Sequence, residues 1–189
     1  MEFRRLDIPD VILVLPSRFT DERGWLAETW SAARFAEAGI GLQFVQDNHS
    51  FSKSRGTVRA LHFQLPPHEQ AKLVRVVRGT AFDVAVDLRR GSPSYGRFAS
   101  ATLTAEGGEQ LLIPAGFAHG FATLAPDTEV LYKVDGPYAP ASEGGILWND
   151  PDLAIPWPVK PEAAILSDKD RKLPRFAGFD SPFRFQTRS

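Results

Sequence analysis

The stretch Arg55-Gly-Thr-Val-Arg-Ala-Leu-His-Phe-Gln64 sets Arg59, His62 and Gln64 in a run that otherwise reads as a β-strand. Imidazole titrates near neutral pH, so His62 is suited to taking and returning protons. Other short runs carry one group each that can move protons or bind anions. Lys72 opens "KLVRVVRG", His119 lies within "GFAHGFATL" and Tyr132 within "EVLYKV". A phenol titrates near ~10 and so keeps its proton at neutral pH. Each group also has an ordinary structural explanation. A strand histidine is usually hydrogen-bonded, an edge lysine discourages aggregation, and a packed tyrosine satisfies its hydroxyl. Ser167-x-x-Asp170 by itself is a capping-box pattern at a helix start.

The elements that would position these groups are mostly strands. β-type runs at 55–64, 72–79, 81–88, 96–104, 109–114, 116–124 and 129–134 alternate with turn-rich segments such as "RGSPSYG" and "TAEGGE". This spacing predicts an all-β sandwich or barrel. The clearest helix is "SAARFAEAG", with Ser31 as N-cap and Gly39 just past its end; "SDKD" marks a shorter one. Prolines cluster after residue 135, so the last third is expected to be irregular and to wrap the sheet. We expect one domain, 1–189. Alternation sorts side chains by face. Val58, Ala60, His62 and Gln64 form one row. Lys72, Val74 and Val76 form another, as do Phe117, His119, Phe121 and Thr123, and Val130, Tyr132 and Val134. Rows meeting inside a barrel would make a polar site on an apolar floor. Arg59 has the wrong parity for the His62 face, unless a bulge redirects it.

The chain of 189 residues has 43% hydrophobic and 24% charged residues, enough for a real core. Its net charge of −1 offers no field to recruit nucleic acid or an anionic membrane. An anionic ligand must therefore be met by a local cluster of basic residues. The absence of cysteine excludes disulfides, thiolate catalysis and Cys-ligated metal. It also fits a reducing compartment. The N-terminal apolar run, Val11 to Leu15, is strand-sized. We expect a cytoplasmic protein.

Gly108-x5-Pro114-x-Gly116-x2-His119 resembles the second signature of the cupin superfamily, and Gly56-x5-His62 resembles the start of the first. That resemblance implies a double-stranded β-helix, the cupin jelly roll, with few short helices. Gln64 stands where a metal-binding cupin usually places another histidine. His62, Gln64 and His119 would be a poor cage for a transition metal, so no metal site is expected. The segments 19–28, 44–64, 70–79, 113–121, 131–140, 142–158 and 166–170 narrow the resemblance further. They resemble, in order and over nearly the whole chain, the dTDP-4-dehydrorhamnose 3,5-epimerase family of dTDP-L-rhamnose synthesis.

The resemblance implies a thymidine-diphosphate-linked 4-keto-6-deoxyhexose as the small-molecule substrate. The ketone acidifies the C3 and C5 hydrogens and is itself the electron sink, so no cofactor is needed. Epimerisation then requires a base, an acid across the ring and support for an enolate oxygen. By resemblance, His62 is the base, Asp170 (or Asp168 in a shifted register) orients it, Tyr132 is the acid and Lys72 steadies the enolate. Arg59 matches a phosphate contact and Tyr138 the aromatic that stacks on thymine. Arg23, Glu28, Gln46, Asp47, Asn48, His119, Glu143 and Lys169 match other substrate contacts. The family also implies a homodimer in which an N-terminal segment completes the partner's site. Asp83 fits a role at the site and a structural carboxylate equally well. Three alternatives stay open: a relative that inverts C3 or C5 alone or isomerises the ketone, a metal-dependent cupin, and a binding module without catalysis.

Overall fold

The computed structural model describes residues 1–186. In chain order the elements are β1 (Glu2–Arg5), β2 (Ile12–Leu15), β3 (Arg18–Asp21), β4 (Gly24–Ala27), α1 (Ala32–Glu37), β5 (Gln46–Ser52), β6 (Val58–Gln64), β7 (Lys72–Arg78), β8 (Thr80–Asp87), β9 (Phe98–Thr104), β10 (Gln110–Ile113), β11 (Phe117–Thr123), β12 (Thr128–Val134) and β13 (Glu143–Gly145). A six-stranded sheet has the order β1-β2-β10-β7-β12-β5, and a five-stranded sheet has the order β13-β6-β11-β8-β9. Among the described residues, β3 and β4 pair only with each other. This is the all-β jelly roll expected, and the predicted runs from 55 to 134 each contain a strand.

Two apolar layers account for the strand patterns. Between the sheets, Val74, Val76, Leu111, Ile113 and Val130 meet Ala85, Leu103, Phe117 and Phe121. The outer face of the five-stranded sheet is covered as well. There Val84, Val86, Leu88, Ala118 and Ala122 pack under Ile146, Trp148, Leu153 and Phe183 from the proline-rich last third. β11 is therefore buried along its whole length. Its outward residues, Ala118, Gly120 and Ala122, are small because another layer lies over them.

α1 covers the outer face of the six-stranded sheet, with Phe35 fully buried against Val14, Leu73 and Leu112. Its end is a Schellman motif. Gly39 has φ 77°, the Gly39 N–H donates to Ala36 O, and the Ile40 N–H donates to Phe35 O. Ser31 occupies the N-cap but makes no side-chain capping bond. The second expected helix is a 3-10 turn, Asp170–Lys172. Among the described residues, no helix is long and apolar enough to cross a membrane.

One expected row is broken. β11 pairs His119 with His62 but Phe121 with Arg59, so β6 carries one extra residue between those pairs. This bulge puts Ala60 and Leu61 together in the outer apolar layer. Ala60 therefore does not share the face of His62. Arg59, shifted by one position through the extra residue, comes round to the cavity side.

Candidate active site

A cavity of about 530 Å3 opens between the two sheets, and His62, Lys72, His119 and Tyr132 all line it. His62 and His119 come from β6 and β11 of the five-stranded sheet. Lys72 and Tyr132 come from β7 and β12 of the six-stranded sheet. Base and phenol candidates therefore stand on opposing walls of one cavity. Phe121 contributes to the apolar floor beneath them.

His62 Nε2 lies 2.8 Å from Asp170 Oδ1. With the proton on Nε2 donated to that carboxylate, Nδ1 keeps a free lone pair. Asp170 is only 4% exposed, and its N–H donates to Ser167 Oγ. The capping pattern is thus half used: Ser167 caps the turn, and the carboxylate is left for the histidine. Burial alone would raise the Asp170 carboxyl, but hydrogen bonds from His62 and Ser167 outweigh it and hold it below the ordinary range. Asp170 remains an anion beside the imidazole.

Burial pulls the Lys72 ammonium down to about 8, against the attraction of Asp83 and Glu143. Burial also lowers His119, although Asp83 opposes it, with His119 Nε2 at 3.0 Å from Asp83 Oδ1. Asp83 is fully buried, hydrogen-bonds His119 and attracts the Lys72 ammonium. Burial raises the Tyr132 phenol, with Arg59 pulling the other way, so Tyr132 keeps its proton across the neutral range.

The mouth of the cavity is polar. Arg59 donates to Ser52 Oγ at 3.3 Å and to Phe51 O at 3.1 Å, which ties it to the edge strand β5. Gln46 and Asn48 alternate along β5 and face the cavity. Asp47, between them, faces away and pairs with Lys133 at 2.9 Å. Tyr138 donates its hydroxyl to Glu143 at 3.1 Å, and Lys169 pairs with the same carboxylate at 2.5 Å. The Lys169 contact, opposed by burial and helped by Tyr138, holds Glu143 below its usual range.

Arg23 and Glu28 are not brought to this cavity within one chain. Arg23 sits at the tip of the β3–β4 hairpin, paired with Asp21, and Glu28 follows the hairpin, paired with Arg34. Six cavity residues went unrecognised in the sequence: Ser50, Thr57, Phe63, Gln70, Ile165 and Leu166. Ser50 shares the alternation of Gln46 and Asn48 and was readable from it. Among the described residues, no three His, Cys, Asp or Glu side chains gather into a metal site. Gln64 spends its amide on neighbouring loops, donating to His68 O at 2.6 Å and accepting from the Ala139 N–H at 2.7 Å.

Comparison with known proteins identifies a family. The family model described as dTDP-4-dehydrorhamnose 3,5-epimerase matches residues 5–178. The enzyme of that name from Pseudomonas aeruginosa is 50% identical over 181 residues, 95% of this chain and 98% of its own. The one from Sinorhizobium fredii is 46% identical over 185 residues, 98% of this chain and 94% of its own. The crystal structure of the dTDP-6-deoxy-D-glucose-3,5-epimerase of Legionella pneumophila, in complex with dTDP-4-keto-L-rhamnose, superposes with a TM-score of 0.93. It is 40% identical and covers 98% of both chains.

Proposed function

This chain belongs to the dTDP-4-dehydrorhamnose 3,5-epimerase family, and from that premise we propose how its own residues carry out the family reaction. It is an isomerase that converts dTDP-4-dehydro-6-deoxy-D-glucose to dTDP-4-dehydro-L-rhamnose, in dTDP-L-rhamnose biosynthesis. His62 Nδ1 removes the proton from a carbon next to the ketone. The electron pair moves into the C4 carbonyl, and the enolate oxygen is held by the Lys72 ammonium. Tyr132 returns a proton to the other face of the same carbon, and solvent resets both groups. The cycle repeats at the second carbon. Asp170 keeps His62 in the right tautomer and stabilises the imidazolium that forms. The ketone stores the charge, so the cycle calls for no cofactor.

The observation that supports this reading is the placement of His62 and Tyr132 on opposite walls of one cavity, with Asp170 behind the histidine. Arg59 and Lys169 take the diphosphate and Tyr138 stacks on the thymine. Gln46, Asn48, His119 and Glu143 complete the contacts. His62→Asn is expected to abolish turnover while dTDP affinity stays close to wild type. Wild-type turnover in that variant would remove His62 as the base.

We further propose a homodimer. The β3–β4 hairpin exposes Phe19, Trp25 and Leu26, the last at 74%. Such a surface is costly in water and suits burial against a second copy. Reaching the partner would carry Arg23 and Glu28 to the partner's cavity, while Asp47 lies on the edge strand β5. The proposal extends to a single domain, 1–189, working in the cytoplasm on a freely diffusing sugar nucleotide.

A further inference from the structure

Four successive backbone groups around Tyr138 are held by the side chains of three glutamines. Gln70 Nε2 donates to Gly136 O at 2.6 Å. Gln64 Nε2 donates to Pro137 O at 3.3 Å. The Tyr138 N–H donates to Gln46 Oε1 at 3.1 Å, and the Ala139 N–H donates to Gln64 Oε1 at 2.7 Å. The three glutamines come from separate parts of the fold: β5, the end of β6 and the turn before β7. The loop they hold lies outside any helix or strand.

We propose that Gln64 and Gln70 are positioning residues that preset the Tyr138 loop as a platform for the nucleotide base. This rests on the reading of Tyr138 as the stacking aromatic. Gln64 is the centre of the clamp. It is 5% exposed and uses both ends of its amide, gripping Pro137 and Ala139 on either side of Tyr138. Its remaining donor anchors His68 O. Only a side chain with donors and an acceptor together can do this: proline offers just a carbonyl, while Ala139 offers its N–H. A carboxylate would lack the donors and an aliphatic side chain would lack both. The position where a metal-binding cupin keeps a histidine serves here as a loop anchor. A loop ordered before binding spares the ligand that entropic cost, so the benefit falls on affinity.

The test measures dTDP binding by calorimetry and steady-state kinetics for wild type, Gln64→Leu, Gln70→Leu, Tyr138→Ala and the Gln64→Leu/Tyr138→Ala double variant. Each glutamine variant is expected to bind dTDP about ten-fold more weakly, as the loss of well-made buried hydrogen bonds would give. KM should rise by more than kcat falls. Gln64→Leu should add little once Tyr138 is alanine, because its effect runs through that ring. If the single glutamine variants bind like wild type while Tyr138→Ala is weakened, the clamp is wrong and the stacking role stands. Additive losses in the double variant also overturn the clamp. Unchanged binding in Tyr138→Ala removes the stacking role itself. Should Gln64→Leu fail to fold, the partly exposed Gln70 carries the same test.

Discussion

Lys72 sits near the edge of its charged range. Burial brings its ammonium to about 8, and in the proposed mechanism that lowered value sets a pH limit on catalysis. Below that pH the group is charged and can hold an enolate oxygen; as pH rises through about 8 it neutralises and the support is lost. We expect kcat/KM to fall on the alkaline side with an apparent pKa near 8. Lys72→Met should be slow at every pH and lack that limb. A wild-type limb centred near ~10 instead would assign the loss to an ordinary phenol or lysine. Lys72, His119 and Tyr132 could be picked out beforehand because each is a polar residue in an apolar alternating row. Asp170 could not be separated from a helix cap without a known relative, since Ser167 does cap its amide. Gln70 and Asp83 were harder still. One acts on a loop and the other on His119 and Lys72, and neither local pattern reveals its partners.

The bulge in β6 is what lets Arg59 and His62 face the same cavity, and Gly120 makes room for it. A Cβ on Gly120 would lie 2.2 Å from Ala60 Cβ and 2.9 Å from Arg59 O. The backbone of β6 would have to move. Gly120→Ala is expected to cost about 1–3 kcal/mol in stability, the usual range for overpacking. Because the displaced strand bears His62, turnover should drop more than stability alone explains. A fully active Gly120→Ala variant in thermal and kinetic assays would show that the bulge tolerates relocation. Strand order along the chain was readable from turn spacing and alternation. The bulge was not, because alternation assumes one residue per step and the extra residue leaves no compositional mark. That is why the row of Val58, Ala60, His62 and Gln64 broke while the rows of β7, β11 and β12 held. The clustering of prolines after residue 135 did foretell the irregular cover over the five-stranded sheet.

The β3–β4 hairpin gives the test of assembly. If it completes a partner's site, two inactive proteins should rescue each other. Arg23→Ala and His62→Asn, mixed and allowed to exchange subunits, should form heterodimers with one intact site in two. Random pairing would restore roughly a quarter of wild-type activity. No recovery, with exchange verified by native mass spectrometry, would place Arg23 in its own chain's site or outside any. The hairpin's strands are short and its apolar residues exposed, so local pattern identified neither its pairing nor what it packs against.

The most direct measurement counts the protons that the cavity exchanges. Incubating the protein with dTDP-4-dehydro-6-deoxy-D-glucose in deuterated water should yield dTDP-4-dehydro-L-rhamnose labelled at both C3 and C5. His62 and Tyr132, facing each other across the cavity, would then have inverted both centres. Label confined to one carbon, or product formed without label, would contradict that account.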